Sequence, residues 1–243
     1  MPAAPTAAIL IIGDEILSGR TRDANTHFLA ENLTEKGIGL REIRVVSDDH
    51  DEIVAAVRAL SSRYDHLFTS GGIGPTHDDI TAEAVAAAFG APIGVRDDAR
   101  AILQAHYQKS GTELNTARLR MARIPDGATL IDNPISAAPG FTLQNTHVMA
   151  GVPAIFQIMV GSLLPKLTGG APVLSQSLRI ERPEGEIAGP LSEIAAAHPK
   201  VSFGSYPFIQ NGRFGANIVA RCQDRAMLDA GVSALRAAFP EAG

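Results

Sequence analysis

Three short apolar runs alternate with helix-patterned segments over the N-terminal third of the chain, and this alternation restricts the available folds more than any other feature. Ala7 to Ile12 is an uninterrupted apolar run closed by Gly13, the pattern of a strand buried on both faces. Asn25 to Lys36 follows with Phe28, Leu29 and Leu33 at helical spacing and Gly37 as its stop. Leu40 to Val46 is strand-like again. Asp49 and Glu52 then make an Asp-x-x-Glu capping box ahead of Ile53, Val57 and Leu60. His66 to Thr69 supplies a third strand, and Thr81 to Phe89 a further helix stopped by Gly90, with Pro92 beyond it. This order predicts an α/β fold with a doubly wound, mostly parallel sheet and right-handed crossovers. Ligands of such sheets bind at the carboxyl ends of the strands, so the loops after Ile12, Val46 and Phe68 are expected side by side.

The third of these loops carries the chemistry. Thr69 to Thr81 reads TSGGIGPTHDDIT, a glycine-rich turn between a strand and a helix. Gly71, Gly72 and Gly74 let bare backbone approach a ligand, and Ser70 and Thr76 add hydroxyls beside the amides. Unpaired N–H groups ahead of a helix favour an anion, so the loop is read as a phosphate seat. A glycine pair after a strand can also be a plain tight turn, and an Asp-Asp pair a helix cap. Two adjacent acids, Asp78 and Asp79, exceed what one cap needs. Carboxylates there would repel a phosphate unless a divalent cation lay between them or they acted on a hydroxyl or water. The neighbouring loops add Gly13-Asp14-Glu15 and Asp48, so five carboxylates are expected around one negative pocket that a metal would stabilise.

The middle of the chain is less regular. Asp98 to Lys109 is helical by pattern, and Thr129 to Gly151 reads as short strands punctuated by Asn133-Pro134, Ala138-Pro139-Gly140 and Gly151-Val152-Pro153. Ala154 to Leu167 reads as a closing amphipathic helix, followed by a Thr168 to Pro172 linker. Residues 1–170 are thus expected to form a nucleotide- or phosphate-binding domain. Residues 171–243 are read as a small βαββα domain: Val173–Ile180, Glu186–Ala197, Val201–Tyr206, Phe214–Ala220 and Ala226–Phe239. Gly204-Ser205-Tyr206-Pro207 reads as a turn. The stretch Arg118 to Arg123 reads as a helix face; the alternative is that Arg120 or Arg123 steers an anionic ligand.

Composition narrows the partners. The net charge is −5, with no basic run, which argues against nucleic acid. No apolar stretch is long enough to span a bilayer and no basic leader precedes Ala7, so a cytoplasmic protein without a membrane partner is expected. The single cysteine, Cys222, is assigned to packing. The histidines show no metal-ligand spacing.

The residues Gly13-Asp14-Glu15-Ile16-Leu17-Ser18-Gly19, Asp23-Ala24-Asn25, Asp48, the GGIGPTHDD loop and Asn133-Pro134 to Pro139-Gly140 resemble the molybdopterin-binding-domain family. The similarity extends to its competence/damage-inducible type and, more closely, to the molybdopterin-binding-like half of eukaryotic FAD synthase, through Gly151-Val152-Pro153 and Gly204-Ser205-Tyr206-Pro207. The resemblance implies a metal-dependent hydrolase of nucleotide pyrophosphates such as FAD or ADP-ribose. The alternatives are a non-catalytic binder of molybdopterin or a nucleotide, and a molybdopterin adenylyltransferase. It implies catalytic roles for Asp48, Asp78 and Asp79, and ligand contacts from Ser70, Gly71, Gly72, Gly74, Thr76, Asn25 and Asn133. It further implies a divalent metal (Mg²⁺, Mn²⁺ or Co²⁺) at Asp14, Glu15 and Asp78, K⁺ as an optional companion, molybdopterin as a second candidate ligand, and a homodimer or homotrimer. This chain departs from the competence-type pattern at Ala24, Ser136, Ala137, Ile155 and His77, where threonine, glycine, threonine, glutamate and a basic residue are common. It stops before the amidohydrolase or synthetase domain that longer members carry, so neither of those activities is expected.

Overall fold

The computed structural model describes residues 4–210 and 212–242. The chain divides into two compact units, Met1–Gly170 and Ala171–Gly243. In the first, β1 (Thr6–Ile12) leads through the one-turn α1 (Asp14–Leu17) to α2 (Asn25–Glu35), β2 (Gly39–Val46), α3 (His50–Arg63), β3 (His66–Ser70) and α4 (Thr81–Phe89). Next come β4 (Ile93–Val95), α5 (Asp97–Lys109), α6 (Thr116–Leu119), β5 (Arg123–Pro125), β6 (Thr129–Ile131), β7 (Gly140–Leu143), β8 (Thr146–Met149) and α7 (Pro153–Leu163). The main sheet has the order β2-β1-β3-β8-β7-β6; its first four strands are parallel, and β7 and β6 extend it antiparallel. A β4–β5 ribbon stands apart from this sheet.

The apolar run of β1 is explained by burial on both faces. Ala8, Leu10 and Ile12 pack with Ile53, Val57 and Leu60 of α3 and Ala84 and Val85 of α4. The alternate residues Ala7, Ile9 and Ile11 pack with Leu29 and Leu33 of α2 and with Phe156, Met159 and Val160 of α7. Helices therefore cover both faces, as the doubly wound pattern requires. Two local expectations change. Asp49 caps α3 by accepting from the amides of Asp51 and Glu52, both at 3.0 Å. Glu52 does not reciprocate; its carboxylate takes the Ser47 hydroxyl at 2.8 Å, so half of the capping box forms. The closing helix ends at Leu163, and Leu164–Lys166 is a 3₁₀ turn, because Pro165 has no N–H with which to continue the α-helical ladder.

The second unit is a three-stranded antiparallel sheet, order β10-β11-β9, with two helices: β9 (Leu174–Ile180), α8 (Glu184–Ala197), β10 (Ser202–Gln210), β11 (Arg213–Cys222) and α9 (Arg225–Ala238). Leu178, Ile180, Ala216, Ile218 and Ala220 pack against Ile187 and Ile194 of α8 and Leu228, Val232 and Leu235 of α9. Cys222 is buried with them. The expected Gly204–Pro207 turn is instead the middle of β10, paired with β11. Pro207 is tolerated because β10 is an edge strand, where a missing N–H need not break a ladder. Ser205 donates to Glu184 at 2.8 Å, and the Tyr206 hydroxyl accepts from Arg221 at 3.2 Å, so both side chains serve this unit's own structure.

Two histidines meet inside the first unit. His66 Nδ1 lies 3.2 Å from His147 Nε2, and His147 Nδ1 lies 3.0 Å from the Thr142 hydroxyl. Burial holds the pKa of His147 at about 3, with a smaller contribution from His66, and burial also lowers that of His66 against the opposing charge of Asp65. The unfolded chain takes up a proton on His147 near pH 6.5, whereas the folded chain refuses it until far lower pH. Stability from this site is therefore complete above that unfolded value and is lost as pH falls from about 6.5 toward 3. Urea unfolding across this window is expected to show one proton's worth of slope, at most about 1.4 kcal/mol per pH unit, that His147→Gln removes. An unchanged acid slope in that variant would contradict the assignment.

Candidate functional site

Parallel pairing of β1 with β2 and β3 brings three loop ends together. The Gly13 amide donates to the Val46 carbonyl at 3.2 Å, and the Asp14 amide donates to Asp48 Oδ2 at 2.9 Å. The glycine loop leaves β3 directly beside them. Gly71 and Gly72 have φ of 113° and 68°. A Cβ on Gly71 would lie 2.1 Å from the Ile12 carbonyl oxygen, and one on Gly72 would lie 2.1 Å from Thr81 Oγ1. Only glycine satisfies both the dihedral and the space at these two positions.

The polar groups of the loop divide into those used inside the protein and those left open. The Gly71 amide donates to the Met149 carbonyl at 3.2 Å, so this amide, expected to hold phosphate, belongs to the strand edge instead. The Gly71 and Gly72 carbonyls accept from the Thr81 hydroxyl and amide. Among the described residues, the amides of Gly72, Ile73 and Gly74 have no protein acceptor. Three consecutive free N–H groups on a glycine turn form a concavity suited to an anion.

Two clefts flank the turn, and they differ in character. One, of about 690 Å³, is lined by Asp14, Glu15, Ser18, Arg20, Asp48, His77, Asp78 and Ile80. Asp48 is the least solvated acid there: burial raises its pKa, the Asp14 N–H opposes this, and the charges of Asp14, Glu15 and Asp78 raise it further. The second cleft, of about 610 Å³, is mainly apolar. Its walls include Gly71 to Pro75, Tyr107, Met121, Ala138, Val152, Pro153 and Ile155, with Glu15, Asp79 and Asn133 as polar members. The expected single pocket of five acids is therefore divided. Asp14, Asp48 and Asp78 lie in one cleft, Asp79 in the other, and Glu15 borders both. Asp79 Oδ2 accepts from the Thr76 amide at 2.8 Å and from the Thr76 hydroxyl, and the Thr76 side chain also holds the Asp78 carboxyl below its ordinary pKa. Thr76 thus braces the turn.

Several expected ligand contacts sit one layer below. Asn25, 4% exposed, donates to Ser70 Oγ at 2.8 Å and to the Gly151 carbonyl at 2.7 Å, tying the start of α2 to the ends of β3 and β8. Asn133 borders the apolar cleft, yet its amide nitrogen donates to Ser136 and Ala138, and its oxygen accepts from the amides of Ile135 and Ser136. Both asparagines thus tie neighbouring segments together, while Asn25 Oδ1 is buried without a protein partner and Asn133 remains on the cleft wall. Arg120 and Arg123 lie on a 3₁₀ turn and the start of β5 rather than along one helix face. Both pair with Glu83, Arg120 also donates to the Asp79 carbonyl at 3.2 Å, and the two arginines line a narrow crevice with Gly72, Ile73, Gly74 and Asp79. Arg20 and Tyr107 were not legible as site residues: Arg20 sits in a charged, exposed stretch, and Tyr107 carries an ordinary helical position in α5.

The acidic cleft offers hard oxygen donors. Among the described residues no three His, Cys, Asp or Glu side chains form a ready-made metal group. Asp14, Glu15, Asp48 and Asp78 line the cleft with carboxylate oxygens, the donor type of a small divalent cation such as Mg²⁺, which binds through one or two carboxylates, waters and substrate phosphates rather than in an all-protein cage.

Residues 8–169 match the family model described as "Probable molybdopterin binding domain", and residues 172–243 match that described as "FAD synthase, middle domain". A probable FAD synthase of Caenorhabditis elegans is 32% identical over 261 residues, covering 97% of this chain and 50% of that protein. The chain thus spans half the length of that relative. A protein of Pyrobaculum arsenaticum is 36% identical over 211 residues, covering 83% of this chain and 79% of that one. Among solved structures, the protein CinA with unknown function from Thermoplasma acidophilum superposes with a TM-score of 0.62 at 34% identity, over 67% of this chain and 98% of that chain. The free amides, the acid-lined strand ends and these matches agree: the chain belongs to the probable molybdopterin binding domain family, followed by a region of the FAD synthase middle-domain type.

Proposed function

We propose that the first unit is a divalent-metal-dependent hydrolase of a nucleotide pyrophosphate of the FAD or ADP-ribose class. The observation that carries this reading is the row of free amides at Gly72, Ile73 and Gly74 between an acidic cleft and an apolar one. A dinucleotide has matching parts: a planar ring for the apolar walls, a phosphate for the amides, and a second charged phosphate toward the acids. The amides hold negative charge without carrying a compensating full charge of their own. Asp14, Glu15, Asp48 and Asp78 would hold the cation, which when bound neutralises phosphate charge and polarises the phosphoryl oxygens. A carboxylate of the same cleft accepts the proton of the attacking water. The water oxygen bonds to one phosphorus as the bridging P–O bond breaks, so each product carries its own phosphate, FMN and AMP in the case of FAD.

Incubation with FAD or ADP-ribose and Mg²⁺, Mn²⁺ or Co²⁺ is expected to release AMP, and EDTA to stop it until metal is restored. Asp78→Asn, at an exposed position outside the core, is expected to fold normally and to lower kcat about 10²- to 10⁴-fold.

One observation favours a second reading, a binding protein for a nucleotide or molybdopterin that performs no turnover. Asp79 is engaged by Thr76 and separated from the other acids, leaving fewer carboxylates around one point. Calorimetry showing stable occupancy by FAD or a pterin phosphate, with no product under any of the three metals, would select it. Adenylyl transfer to molybdopterin would appear instead as AMP bonded to the pterin phosphate when ATP is supplied.

A further inference from the structure

We propose that Tyr107 determines the ligand class of the apolar cleft, as the platform on which a planar heterocycle packs. The inference rests on the reading of the neighbouring loop as a phosphate seat. Tyr107 is the aromatic member of a mainly apolar cleft whose other walls are backbone, aliphatic groups and the Met121 thioether, with Glu15, Asp79 and Asn133 as its polar members. Its position is secured by neighbours outside the cleft lining and by packing against the core. The Arg118 guanidinium lies 4.8 Å from the ring centroid, and His106 meets the ring edge-on at 5.3 Å and 87°. Arg118 is itself anchored by donating to the Glu113 carbonyl. The ring is therefore oriented before any ligand arrives, so little side-chain entropy remains to be lost on binding.

The rest of the cleft supports the same ligand chemistry. Val152 exposes 57% of its surface at the head of α7, and Ile155 follows one turn along. Neither offers a charge or hydrogen bond, and Met121 is a soft partner for an aromatic face. The glycine amides adjoin this wall, so a ring on Tyr107 and a phosphate on Gly72–Gly74 belong to one ligand. A sugar phosphate without a ring would use the amides alone.

Calorimetry without metal separates these cases, using FAD, AMP and ribose 5-phosphate as probes and the variants Tyr107→Leu and Tyr107→Phe. Tyr107→Leu is expected to raise the Kd of FAD and AMP by about 5- to 150-fold, the range for loss of one aromatic stacking contact, and to leave ribose 5-phosphate unchanged. Tyr107→Phe keeps the ring and is expected to stay within about twofold of the parent. Unchanged FAD and AMP affinity in Tyr107→Leu, or equal weakening of all three ligands, would overturn the platform. A parent protein that binds FAD and AMP through Tyr107 but hydrolyses nothing would sink the hydrolase and leave the platform standing. A parent that hydrolyses FAD with a KM insensitive to Tyr107→Leu would do the reverse.

Discussion

The structure depends on β1 being buried on both faces while paired in parallel on both edges. Parallel pairing cannot be closed by a hairpin, so α2 and α3 must cross over, and each covers one face of the strand. The same geometry aligns the carboxyl ends of β2, β1 and β3 without any side chain being responsible for it. Gly71 then passes so close to the Ile12 carbonyl that no side chain fits. The close approach of loop to strand is thus a consequence of sheet packing, and the free amides follow from where that packing leaves the turn.

Electrostatics sets the tension in the site. Four carboxylates line one cleft, and Asp48 carries the strain in its raised pKa. The Asp14 N–H offsets part of this by donating to Asp48, so one acid of the cluster also caps the short helix that bears the next two. Such an arrangement is electrostatically unfavourable by itself, and this is the physical reason for the proposal that a cation and a phosphate meet there. Arg20 shares the cleft, whereas Arg120 and Arg123 pair with Glu83 in the narrow crevice beside the turn.

The sequence pattern was sufficient for the alternating strands and helices up to α4 and for the order of the second unit, because periodicity is a property of neighbouring residues, whereas the short α1, β4, α6 and β5 were not read from it. Thr81–Phe89 and the βαββα order of the second unit were readable in this way. Pro207 misled in the other direction: a proline that reads as a turn is compatible with an edge strand, and edge position is a fact of sheet order. Asn25 and Asn133 read as ligand contacts because asparagine in a motif has two possible destinations, a ligand or a backbone. Their partners, Gly151 for one and the turn through Ala138 for the other, are known only once the chain is folded.

By itself the sequence determined that this chain forms a doubly wound sheet with a glycine turn at its active edge, since glycine at positions 71 and 72 and apolar alternation are local requirements. It also carried the family, through motifs dense enough to be specific. Tertiary structure alone decided on which side of the turn each acid falls. Asp78 and Asp79 are adjacent in the chain, yet they line different clefts. Tyr107 likewise became a wall of the site only through folding, because contacts between residues far apart in sequence depend on how the crossovers bring them together.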